Sequence, residues 1–64
     1  MKNNIKKLRK IKKLSQQELA DLCEVTRQTV NAIENDKYDP TLQLAFSLSK
    51  YLDTTVDDLF ISEL

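Results

Sequence analysis

The sequence predicts an all-α fold, compact and built from five short helices. Three observations carry that prediction. Apolar residues recur at spacings of three and four along most of the chain. Polar helix-start residues stand just ahead of these runs. No segment alternates with a convincing period of two, so strands are not expected.

Ile5, Leu8 and either Ile11 or Lys12 place a first amphipathic helix at about residues 3 to 12, with Asn3 or Asn4 as its cap. Ser15 and Glu18 form a capping box ahead of a second helix at about 16 to 23, whose apolar residues are Leu19, Ala20, Leu22 and Cys23. Thr26 offers its hydroxyl as the next cap, and Val30 and Ile33 mark the buried side of a third helix at about 27 to 35. The run from Asn35 to Pro40 is a cluster of turn formers and reads as a loop. Thr41 caps a fourth helix with an apolar face of Leu42, Leu44, Ala45, Leu48, Tyr51 and Leu52. Thr55 with Asp58 repeats the cap signature before Val56, Leu59 and Phe60, a fifth helix at about 56 to 61. Glycine is absent, so Glu24, or Asn35 and Asp36, must supply the left-handed residues that helix ends commonly use.

Sixty-four residues suffice for one domain, residues 1–64, with a small core and no room for a large substrate cleft. A single cysteine, Cys23, excludes an internal disulfide, and without histidine or a CxxC pair no structural zinc site is expected. Cys23 reads as a small buried hydrophobe. No apolar run reaches the ~20 residues of a membrane span, and no signal peptide is evident, so a cytoplasmic location is expected. Net charge is zero, but residues 1 to 13 hold seven basic groups and no acid, whereas from residue 38 onward only Lys50 stands against five acids. The zero average conceals a dipolar chain.

Residues 15 to 34, SQQELADLCEVTRQTVNAIE, frame a four-residue turn between two capped helices and leave Arg27, Gln28, Thr29 and Asn31 off the apolar side. This is the layout of a helix-turn-helix that reads DNA. With LSQQELA at 14 to 20, Val25-Thr26 before RQTVNAIE, the NDKYDP loop and the closing Leu59-Phe60, the chain resembles the lambda-repressor-like, Cro-type helix-turn-helix family of the xenobiotic-response-element class. Within it, the chain is most similar to minimal single-domain regulators. Glu24 and Asp36 depart from the family, which frequently has glycine at both positions.

The resemblance implies a compact five-helix DNA-binding domain with the helix-turn-helix at helices 2 and 3, and roles for individual residues. Arg27, Gln28, Thr29 and Asn31 are its base-reading set. Arg27 suits guanine O6 and N7 or a phosphate, Gln28 suits adenine, Thr29 offers a methyl and a hydroxyl, and Asn31 reaches a base or faces solvent. Gln16 and Gln17 at the start of helix 2, Thr26 at the turn, and Asn35, Lys37 and Tyr38 after the reading helix are implied phosphate contacts, with Lys10 and Lys13 as auxiliaries. Tyr38 can instead pack its ring on the core edge. Arg9 and Glu34 are implied as an inter-helix ion pair, the alternative being two independent surface charges.

These features favour a sequence-specific double-stranded DNA-binding transcriptional regulator, a repressor acting as a homodimer on a palindromic operator. No cofactor, metal or small-molecule effector is implied. Phe60, Ile61 and Leu64, together with Phe46, supply the expected dimer surface, unless they cover their own core. An enzyme is disfavoured, since Asp57 and Asp58 are explained by helix capping. The rival is an antitoxin-like or adaptor protein whose main partner is another protein, which should show an apolar stripe where residues 27 to 31 are polar.

Overall fold

Side-chain caps set where four helices begin in the computed structural model, which describes residues 2–61. The elements run β1 (Lys2–Asn3), α1 (Ile5–Ile11), α2 (Gln16–Leu22), α3 (Arg27–Glu34), α4 (Leu42–Tyr51), α5 (Val56–Leu59) and β2 (Phe60–Ile61). Ser15, Thr26, Thr41 and Thr55 each accept a bond from the backbone N–H three residues on, satisfying a donor that has no partner within the helix. At α2 the capping box is complete, with the Ser15 N–H donating to Glu18 Oε1 at 2.9 Å. α1 starts differently. Asn4 occupies the cap position without capping, and Asn3 Oδ1 accepts the Ile5 N–H at 3.1 Å instead.

The helices end alike. After α1, α2, α3 and α4 the chain passes through Lys13, Glu24, Asp36 and Asp53, all at φ between 54° and 59°. Each time the following N–H reaches back to a carbonyl in the last turn: Leu14 to Arg9, Val25 to Ala20, Lys37 to Ala32 and Thr54 to Ser49, at 2.9 to 3.0 Å. This is the Schellman ending, made here without glycine. Glu24 and Asp36 were expected to take it. Asn35 does not, since its φ is −95°, and Lys13 and Asp53 are additions.

Leu19, Ala20, Val30 and Ile33 from the helix-turn-helix meet Ile5, Leu44, Ala45, Leu48, Leu52, Leu59 and Phe60 in one buried cluster. Three expectations need correction. α1 spans residues 5 to 11, and its inward side is Ile5, half-buried Leu8 and Arg9, while Ile11 is 66% exposed. Leu42 lies off the buried face of α4 at 68% exposure, and Leu22 is also exposed. α5 stops at Leu59, because Phe60 and Ile61 turn extended and pair antiparallel with β1, Asn3 opposite Phe60 and Lys2 opposite Ile61. A pair of two-residue strands is too short to show any periodicity, so local pattern cannot reveal it. Among the described residues no helix is long and apolar enough to cross a membrane.

Candidate nucleic-acid interface

The start of α3 is aimed outward by its own sequence. Val30 and Ile33 are about 1% exposed and hold one side of the helix on the core. Arg27, Gln28 and Asn31 therefore stand in solvent on the other side, and with Thr26 they line one shallow cleft. α2 packs extensively on α3. Thr29 is half-buried, and its hydroxyl lies 3.0 Å from that of Thr26.

Beneath this surface is a charged anchor. Arg9 Nε donates to Glu34 Oε2 at 3.0 Å and its second nitrogen to Oε1 at 3.2 Å, a bidentate pair joining α1 to α3. Arg9 also donates to the Leu14 carbonyl at 2.9 Å. The side chains are only 10% and 3% exposed, so this is a largely desolvated pair and not two independent surface charges.

Polar side chains extend from that anchor across the outer surface. Gln16 Nε2 donates to Glu34 Oε1, and Gln16 Oε1 accepts from Asn31 Nδ2, both at 3.4 Å. Asn35 Nδ2 donates to the Asn31 carbonyl at 2.8 Å and to Asn31 Oδ1 at 3.3 Å. Gln17, in contrast, bonds Asp21 at 2.8 Å within its own helix. No local signal announces the contact between Gln16 and Asn31, which are fifteen residues apart.

The basic residues divide into two groups. Lys6, Lys7, Lys10 and Lys13 project from α1 and its end into solvent, as Lys37 does beyond α3. Lys12 instead meets Asp53 at the end of α4, an ion pair the sequence did not suggest. Tyr38 is about half exposed, leaving its ring partly on the protein and partly in solvent. Of the expected dimer residues, Phe60 is 8% exposed and belongs to its own core, Ile61 is 44% exposed, and Leu64 lies outside the described residues. Phe46 and Leu42, one turn apart on α4, add an outward apolar stripe.

Among the described residues, two groups are shifted from their ordinary titration range. The Ser15 backbone N–H, followed by the Ser15 hydroxyl, holds the Glu18 carboxyl below its ordinary range. Burial pushes the Cys23 thiol up, which disfavours the reactive thiolate. Among the described residues no cluster of His, Cys, Asp and Glu could hold a metal ion.

A helix-turn-helix family model matches residues 5–59 of the chain. An uncharacterized HTH-type transcriptional regulator of Methanocaldococcus jannaschii, MJ0272, is 46% identical over 63 residues, covering 98% of this chain and 96% of that one. The HTH-type regulator YgzD of Bacillus subtilis is 43% identical over 60 residues, 94% and 91% of the two chains. Among solved structures, the restriction-modification controller protein C.AhdI from Aeromonas hydrophila has a TM-score of 0.80 at 32% identity, covering 88% of this chain and 85% of that one. The clp gene regulator ClgR from Corynebacterium glutamicum has a TM-score of 0.79 at 22% identity over 84% of this chain and 57% of that one, a likeness of fold alone.

Proposed function

The chain belongs to the lambda-repressor-like helix-turn-helix family, and on that premise we propose that it is a sequence-specific double-stranded DNA-binding transcriptional repressor. The carrying observation is the outward side of α3. Arg27, Gln28 and Asn31 are exposed together around one cleft, and all three carry the hydrogen-bonding groups that match base edges in the major groove. A helix kept for a protein partner would show apolar residues there.

In this proposal α3 enters the major groove by its first turns, and Lys10, Lys13 and Lys37 neutralise flanking phosphates. Two copies pair to place their reading helices about 34 Å apart on a palindromic operator. The apolar side supplies a surface for that pairing. Leu42 lines a groove with Pro40, Ala45, Val56 and Phe60, Phe46 lines the neighbouring one with Val56, and Ile61 is exposed at the end of β2. Repression then follows from occupying the operator, in the cytoplasm, without cofactor or effector.

Selection of bound sites from random duplex DNA tests the proposal. A palindromic motif is expected, relaxed at one position per half-site by Gln28→Ala at a cost of about 1 to 3 kcal/mol. Lys10→Ala should weaken all sequences alike and lower the salt slope by about one. Enrichment of no motif would sink the sequence-specific reading.

A further inference from the structure

Asn31 is the one exposed residue of the reading face whose side-chain amide is held at both ends. A carboxamide offers two N–H donors and two oxygen lone pairs. On Asn31, one donor makes a long bond of 3.4 Å to Gln16 Oε1, and one lone pair accepts at 3.3 Å from the Asn35 amide, whose shorter bond of 2.8 Å goes to the Asn31 backbone carbonyl. One donor and one lone pair remain. That remainder is the complement of the adenine major-groove edge, where N7 accepts and N6 donates.

The hold is anchored below the surface. Gln16 donates its own amide to Glu34 Oε1, and Glu34 is fixed bidentately by Arg9, with the carboxylate 3% exposed. The series Arg9, Glu34, Gln16, Asn31, Asn35 thus runs from a buried ion pair between α1 and α3, through Gln16 of α2, to Asn31 at the cleft and Asn35 at the end of α3. A side chain held in its bonding geometry before contact loses less conformational freedom on binding than one that must be ordered. Thr26, Arg27 and Gln28 share the cleft, but no comparable two-ended restraint fixes Arg27 or Gln28 among the described residues.

We propose that Asn31 is a specificity-determining adenine reader, pre-oriented by Gln16 and Asn35, and that Gln16 is a positioning residue for it. The proposal rests on the sequence-specific DNA reading above and assigns a base to one residue of that face. It also gives Gln16 a role apart from any phosphate contact.

The test uses duplexes selected by the wild-type chain, then re-selected with Asn31→Ala, each variant checked for an unchanged thermal transition. Asn31→Ala should abolish the preference for adenine at one position per half-site. Replacing that adenine with 7-deazaadenine, which lacks the N7 acceptor, should weaken wild-type binding about 5- to 10-fold per half-site, because one bond of a bidentate pair is lost. Asn31→Ala should bind the two duplexes equally. Gln16→Ala should narrow the wild-type gap between them, whereas loss of a phosphate contact alone lowers both affinities and leaves the gap intact. An intact gap in Gln16→Ala overturns its positioning role. If the wild type enriches a motif but Asn31→Ala keeps every base preference, or loses one at a G·C pair, the adenine assignment is overturned while the repressor reading stands. If the wild type enriches no motif, both fall.

Discussion

Lys13, Glu24, Asp36 and Asp53 occupy a backbone region that favours glycine, in a chain that contains none. A side chain there brings Cβ close to the backbone, at a cost of roughly 1 kcal/mol per residue. Lys13→Gly and Glu24→Gly should therefore each stabilise the fold by up to about 1 kcal/mol, read as a raised midpoint of urea denaturation, with lower stability arguing against strain there. The opposite outcome is expected at the anchor. The Arg9 side chain is 10% exposed, and Glu34→Ala removes the carboxylate that pairs it, so a loss of about 3 kcal/mol should appear in thermal unfolding. A loss below about 0.5 kcal/mol would mean that solvent already screens the pair.

Among the helices, starting points were legible and inward faces less so. Ser15, Thr26, Thr41 and Thr55 act within three residues of themselves, so sequence alone locates them, and the structure uses all four as caps. α1 shows the limit of that local reading. Its spacing allowed Ile11 to face inward, yet Arg9 does, because Glu34 and the Leu14 carbonyl wait there to satisfy it. The paired strands β1 and β2 join opposite ends of the described chain and leave no local trace. The cap of α2 also carries a pH dependence. Its Glu18 carboxyl is held below its ordinary range in the fold, so the stabilisation is complete above that range and disappears as pH falls through the folded value. The difference in melting temperature between wild type and Glu18→Gln should thus be larger at about pH 7 than at about pH 3. A difference independent of pH would remove charge from the account of this cap.

One copy measures 31 × 20 × 19 Å and carries a single α3, so it cannot by itself place two reading helices a helical turn apart. In the proposed pairing a second copy supplies the other helix, and the exposed Leu42, Phe46 and Ile61 offer an apolar surface for it. Sedimentation should show Ile61→Glu dissociating the pair and Phe46→Glu doing the same; an unchanged dimer in both would move the interface elsewhere. Phe60 packs mainly in its own core and meets that surface only as part of the wall of the Leu42 groove. Folding also redistributes the basic N-terminus. Arg9 turns inward and Lys12 goes to Asp53, so the charge left facing solvent is smaller than the sequence count.

By itself the sequence determined the helical content, the capped helix-turn-helix of residues 15 to 34 and the polar side of α3, because caps and apolar periodicity act over a few residues. Only the tertiary structure decided which polar groups meet. The Arg9–Glu34 anchor, the link from Gln16 to Asn31 and the burial of Phe60 all join residues far apart in the chain. Their partners come within reach only when the helices pack. In residues 15 to 34, SQQELADLCEVTRQTVNAIE, the sequence supplies the side chains of the proposed reading surface, and the fold brings Gln16 and Asn31 within hydrogen-bond reach.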